Sequence, residues 1–392
     1  MSPPFITFPQ LNFIIKKRGF THQKVVVQAL TNFHNNQIAT DTNENGAWNM
    51  FTGSISYHTA GTGTFMVGHS NYLNDTSFKG KVWRSQDNGA TWSLMAYLPT
   101  KTIQSVRNFG VTGQTVIVTC GGAAGNSDIY RSTNLGQHFS RRYDGAQASI
   151  YDNGTGINGS RMVVGGGFTN GTGGVLRWSI DTGVTWRDQN PTTTGFTRLV
   201  SPTYAGVVGG TEVWIAMGQT GVPTSNSNYQ YILSNQTLDS TTDTNWGNSW
   251  GIASNQPFSG VQQRFEWVGG NSVLSFSSTD PIQIRTTSDY FVNSTVVQTL
   301  PAGLNKVRKL INFGSGNLWI LCHGAAEGTG VIYESTDSGV TWNVNNPVQS
   351  FPEMKAPYDM TLNTNTGSVY VIGNYISTHP TNANRALLYE VF

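Results

Sequence analysis

One eight-residue pattern returns along the 392-residue chain and constrains what it can fold into. It is Ser85-Gln86-Asp87-Asn88-Gly89-Ala90-Thr91-Trp92, then Ser179-Ile180-Asp181-Thr182-Gly183-Val184-Thr185-Trp186, then Ser335-Thr336-Asp337-Ser338-Gly339-Val340-Thr341-Trp342. A weaker copy, Ser132-Thr133-Asn134-Leu135-Gly136-Gln137-His138-Phe139, has Asn for Asp and Phe for Trp. Ser and Asp side chains bond to the backbone of a tight turn, and Gly reaches positive φ without a steric penalty. Thr-Trp then starts a new strand, with the indole buried against the turn. Each copy therefore predicts a turn between two antiparallel strands. A residue that recurs in every unit serves every unit, so Ser85, Asp87, Gly89, Trp92, Ser179, Asp181, Gly183, Trp186, Ser335, Asp337, Gly339 and Trp342 are read as structural.

Degenerate copies extend the series. Asp41-Thr42-Asn43-Glu44-Asn45-Gly46-Ala47-Trp48 keeps its Trp, whereas Leu233-Ser234-Asn235-Gln236 and Arg285-Thr286-Thr287-Ser288-Asp289 have lost the acid. Taken at the Asp position, the series runs 43, 87, 134, 181, 236, 288, 337, with intervals of 44 to 55 residues. A four-stranded propeller blade takes about 40–50. The Ser-x-Asp-x-Gly-x-Thr-Trp pattern resembles the Asp-box, or BNR repeat, of sialidase-like β-propellers, which implies an all-β propeller.

Three β-branched or aromatic runs bounded by Gly and Asn precede each turn, as strands should. In the second unit they are 103–109, 116–120 and 129–132, and in the sixth 307–313, 318–322 and 331–335. After the last turn, runs at 360–363, 369–372 and 386–392 supply three strands and no fourth. The expectation is a seven-bladed propeller of four-stranded antiparallel blades over residues 41–392. The ring is expected to close with strands from both termini, Trp48–Phe51 completing the last blade. Cys120 and Cys322 fall on equivalent second strands of blades three steps apart, which disfavours a disulfide and reads as two buried thiols.

Composition narrows the function classes. Lys and Arg number 23 against 21 Asp and Glu, a net charge of +2 with no basic stripe, so no nucleic-acid partner is expected. No apolar run approaches the about 18 residues of a membrane span. Nothing suggests a metal or cofactor. Charged residues make up 11% of the chain, against about 25% in ordinary soluble proteins. With its abundant Gly, Asn and Thr, this profile resembles that of bacteriophage tail, fibre and decoration proteins.

Inner strands line a propeller's channel, a common ligand site. Aligning the first strand of each unit by eye gives one ionisable residue apiece: His58, Arg107, Asp152, Arg198, Glu266, Arg308 and Asp359. Three readings stay open: an ion-paired lining, a site for a polar or anionic ligand, or glycoside hydrolysis. The last needs two carboxylates about 5–10 Å apart, drawn from Asp152, Glu266 and Asp359. The sialidase resemblance implies an arginine triad, a Tyr–Glu pair and an Arg-Ile-Pro motif. No Arg-Ile-Pro occurs here, and Arg107, Arg198 and Arg308 fall on every second blade without the family's surrounding residues. No catalytic residue is therefore assigned.

Residues 1–40 match no unit. Phe5–Ile15 is the most apolar stretch outside the strands and is followed by Lys16-Lys17-Arg18. Such a segment packs on the propeller or reaches a partner. A Trp pair at Asn245-Trp246-Gly247-Asn248-Ser249-Trp250 offers faces on which a sugar could stack. The expectation is a non-enzymatic bacteriophage virion protein, structural, decorating or receptor-binding. It would contact other virion proteins through residues 1–40 and present its loops, with a host surface glycan as a further partner. The alternative is a carbohydrate-active enzyme of the sialidase or xyloglucanase-like type.

Overall fold

The computed structural model describes residues 50–391 except 61–62, 73–77, 90, 100–101, 110–112, 122–126, 146–147, 169–173, 190–197, 209–210, 220–228, 235–249, 255–261, 271, 278–279, 289–293, 377 and 379–385. The N-terminal arm, the turn copy at 41–48 and Trp246 lie outside the described residues.

Alternating apolar and polar residues, broken by Gly and Asn, give short strands with one face to bury against each neighbour. Six four-stranded antiparallel sheets form in chain order, each pairing only consecutive strands. They span Met50–Pro99, Thr102–Gly145, Ala148–Gln189, Arg198–Ser254, Gln262–Thr299 and Lys306–Phe351. These are the blades of an all-β propeller. A further sheet, Met354–Val391, has three strands among the described residues.

That last sheet corrects one expectation. Met50 and Phe51 belong to the innermost strand of the first blade, where Met50 pairs with Asn71. They are not an outer strand of the last sheet, and a complete seventh blade is not seen among the described residues. The physical reason is local: Met50 continues an extended run through His58, and its hairpin partner Thr64–Tyr72 follows at once.

The core lies between sheets. Phe109, Ile117 and Ile129 of blade two meet Met162 and Val164 of blade three. Leu274, Phe276 and Ile284 of blade five meet Leu310, Leu318 and Ile320 of blade six. The C-terminal sheet packs on both sides: Val371 and Leu387 cluster with Leu321 and Ile332 of blade six, while Tyr370 and Leu388 cluster with Phe65 and Trp83 of blade one. Burying one such side chain stabilises by about 1.5–3 kcal/mol. Cys120 and Cys322 are both buried and not joined in a disulfide, on the second strands of blades two and six.

The recurring turn joins the third and fourth strands. In blade one Ser85 Oγ accepts the Gly89 N–H at 2.8 Å. Asp87 accepts the Thr91 N–H at 2.8 Å and its hydroxyl at 2.5 Å, and the Trp92 indole donates to the Gly89 carbonyl at 2.8 Å. The same bonds recur at Ser179, Asp181 and Trp186, and at Ser335, Asp337 and Trp342. Burial opposes ionisation of Asp87, Asp181 and Asp337, yet the Thr and Ser hydrogen bonds outweigh it and hold all three carboxyls below their ordinary range. Two consecutive residues are left-handed, as at Asn88 (φ 57°) and Gly89 (φ 89°). A Cβ at Gly339 would sit 2.5 Å from Leu274 of the preceding blade, so this position needs glycine for space as well as for φ.

The turns also fasten neighbouring blades. Arg84 donates to the Leu135 carbonyl at 3.0 Å, and Arg131 to the Thr182 carbonyl at 2.7 Å. Each arginine thus grips the left-handed residue of the next blade's turn. The acids of the repeat bond within their own turns, and these arginines make the contacts to the next blade.

Candidate ligand site on the inner strands

The innermost strands are Met50–His58, Thr102–Phe109, Ala148–Asn158, Arg198–Val208, Gln262–Gly269, Lys306–Gly314 and Met354–Leu362. Strand pairing fixes which of their residues are equivalent. Counting three residues along the second strand from the partner of the turn Ser or Thr reaches Gly68, Thr119, Met217, Phe276 and Leu321, and counting three from the partner of Val391 in the C-terminal sheet reaches Ile372. Opposite these on the inner strands stand Ser54, Ser105, Val200, Arg264, Lys309 and Asp359.

The seven expected residues therefore do not share one level. Only Asp359 belongs to this one. Arg107 and Glu266 are equivalent to each other two residues further along, opposite Ile117 and Leu274. His58 lies four residues beyond Ser54, at the strand's end. Arg308 is the extra residue of a bulge between Val307 and Lys309. Asp152 and Arg198 lie on inner strands, and their side chains fall outside the described residues.

Bulges explain the displacement. Register shifts occur between Ile103 and Ser105, Gln262 and Arg264, Val307 and Lys309, and Pro357 and Asp359. A bulge re-aims the next side chain, so Arg264 and Lys309 reach this level although the strand pattern of the sequence points to Glu266 and Arg308. The signal was present as polar residues spaced two apart, Arg264 and Glu266, but the bulge positions were not legible.

Asp359 is the hub. Its Oδ2 accepts from Arg107 Nη1 at 2.8 Å, from the Ser54 hydroxyl at 2.9 Å and from the Ile55 N–H at 3.2 Å. Arg107 thus reaches from blade two, past Ser54 of blade one, to the C-terminal sheet. Burial pushes the Asp359 carboxyl up, but the Arg107 and Lys309 charges and the Arg107 hydrogen bond outweigh it, leaving the acid below its ordinary range. Glu266 is paired with Arg264 Nε at 2.5 Å. Arg264 also donates to the Arg308 carbonyl of the next inner strand.

Lys309 is half-buried among these groups. Burial, then the Arg107 and Arg264 cations, lower it to about 8, while Asp359 and Glu266 act in the opposite sense. His58 is remote in role: its Nε2 meets Ser56 Oγ at 2.9 Å and its Nδ1 the Gly113 carbonyl at 3.2 Å. Burial lowers it to about 4, so it is a neutral packing residue. Arg308 turns to His323, donating to its Nε2 at 2.9 Å, and lies over Tyr358. Burial, then the Arg308 charge, lower His323 to about 3.

A carboxyl held below its ordinary range, as at Asp359, is a poor protonated general acid for a glycosidase. The arrangement suits charge recognition instead. No group of His, Cys, Asp and Glu able to hold a metal occurs among the described residues. No helix among them is long and apolar enough to cross a membrane.

Comparison with solved structures supports the fold. The BP39L lectin from Burkholderia pseudomallei superposes with a TM-score of 0.58 at 12% identity, over 87% of this chain and 99% of that one. The β-propeller domain of the Trilobed protease from Pyrococcus furiosus gives 0.53 at 8% identity, over 88% and 95%. A protein of unknown function from Dyadobacter fermentans gives 0.51 at 11% identity, over 89% and 96%. No family model matches the chain, and no curated protein does either. The chain is a β-propeller, and at these identities the likeness is one of fold alone.

Proposed function

We propose that this propeller is a non-enzymatic virion component of a bacteriophage, structural, decorating or receptor-binding. The observation that carries the non-enzymatic part is the state of the inner-strand acids: Asp359 is locked by Arg107, Ser54 and the Ile55 amide, and Glu266 by Arg264. A catalytic acid needs a raised pKa and an open face, and Asp359 has neither. The low charge content supports the virion part. In this reading the repeat is an Asp-box, and the C-terminal sheet is the seventh blade of a ring closed by strands from both ends. Residues 1–40 dock on another virion protein, and the loops between strands face outward, where they vary without disturbing the core.

The test is protein mass spectrometry and immunogold labelling of gradient-purified particles from the source lysate, probed for the full chain. Stoichiometric recovery with particles is the expected result. Recovery only in the particle-free fraction sinks the virion assignment. Release of reducing sugar from a glycan panel, lost in Glu266→Gln or Asp359→Asn variants that remain folded, sinks the non-enzymatic one.

A further inference from the structure

The cluster on the inner strands holds one more cation than acid among its described side chains. Arg107, Arg264 and Lys309 face Asp359 and Glu266, and each acid is already matched by an arginine. Lys309 forms no hydrogen bond or ion pair with any described residue. An ammonium carries three donors and no acceptor. Holding it half-buried beside two guanidinium groups is costly unless something answers the charge. The fold nevertheless aims it there, through a bulge placed immediately before it.

We propose that the propeller's channel binds a small oxyanion, with Lys309 as the cation that contacts it and Arg107 and Arg264 as flanking charges. The chemistry admits two sources, a free inorganic anion or the carboxylate of an organic molecule. An ammonium and two guanidinium groups donate to oxygens of either kind. This inference does not rest on the virion assignment: it concerns what the channel holds, wherever the protein resides. A Lys309 lowered to about 8 is still charged at neutral pH. Its charge, and with it the anion's main contact, is lost as pH rises through that value. The other charged groups facing it are Arg107, Arg264, Asp359 and Glu266.

The experiment is calorimetric titration of the full chain with sodium sulfate and with sodium acetate at fixed ionic strength. Saturable binding at pH 6.5, weakened at least tenfold at pH 9.5 and at least tenfold in Lys309→Gln, is the expected result. Lys309→Arg should keep the binding, and Lys355→Gln should leave it unchanged, because Lys355 is paired with Glu327 and is not among the charges that act on Lys309. Preference for sulfate points to a free inorganic anion, and preference for acetate to an organic carboxylate. A purely structural lysine predicts no saturable binding of either probe. That result, or undiminished binding in folded Lys309→Gln, overturns the proposal. Lys309→Met provides a second reading: relieved of a costly charge, it should melt a few degrees higher than wild type at pH 7 while losing the anion.

Discussion

The turn at Ser85–Trp92 and the cluster around Asp359 use the same kinds of bond over very different stretches of chain. In the turn, every partner lies two to four residues away: Ser85 with Gly89, Asp87 with Thr91, Trp92 with Gly89. In the cluster, Ser54 and Asp359 are 305 residues apart and Arg107 and Asp359 are 252 apart. The turn can form as soon as its own residues are present. The cluster exists only once the C-terminal sheet has come to rest beside blade one. The periphery is therefore encoded blade by blade, whereas the centre depends on sheets from both ends of the chain coming together.

The contrast is sharpest under the substitution with the largest expected effect. Asp359→Asn leaves the half-buried Arg107 guanidinium without the Asp359 charge, and breaking one side of a buried pair costs up to about 3–5 kcal/mol. Urea unfolding should show a lower midpoint at unchanged slope. A change no larger than that of a surface variant breaks the comparison.

Acid should act on the buried histidines next. The folded pKa of His58, about 4, lies below the ordinary value of 6.5. Between those values the unfolded chain binds the extra proton, so stability falls as pH drops through that window. The loss is on the order of 3 kcal/mol. His323 adds a second contribution of the same sign, extending lower because its own value is about 3. In His58→Gln, thermal unfolding between pH 6.5 and 4 should depend less steeply on pH. An unchanged dependence contradicts the burial of a neutral imidazole.

Within the periphery the effects are smaller because each turn is one of several. Asp337→Ala removes two short hydrogen bonds to Thr341 and should cost about 1–2 kcal/mol. Blade two already shows a milder form of this change. There Asn134 still accepts the His138 N–H at 3.0 Å, with no threonine hydroxyl to bind and no indole donor at Phe139. Asp337→Asn should therefore cost less than Asp337→Ala. The smallest effect is a gain. Thr182 is β-branched yet left-handed at φ 59°, where a Cβ-bearing residue is strained by about 1 kcal/mol. Thr182→Asn should raise the melting midpoint slightly, and a fall would show that the threonine has a role the backbone does not reveal.

This difference in range also explains what could be read from the sequence. The turns were legible because Ser, Asp, Gly and Trp sit at fixed local offsets, and each offset has a chemical reason. The strands before them followed from their β-branched runs. The inner-strand site was half legible. Arg107, Glu266 and Asp359 were found, but Arg308 was chosen where Lys309 faces the cluster, and Ser54 and Arg264 were missed. A bulge inserts one residue and exchanges the two faces of the strand beyond it. Nothing in Lys306-Val307-Arg308-Lys309 marks which of two adjacent cations follows the bulge. The expected outer strand at Trp48–Phe51 misled for a similar reason, since Met50 and Phe51 continue without a break into the inner strand of blade one.

The central claim is that the middle of the propeller is held by a charge pair joining blade two to the C-terminal sheet across blade one. A double-mutant cycle on Arg107→Met and Asp359→Asn, measured by equilibrium urea unfolding, tests it directly. A coupling energy of about 1.5–3 kcal/mol, with the double variant more stable than additivity allows, is the predicted result. Additive losses within about 0.5 kcal/mol would contradict it, since residues that do not touch would behave in that way.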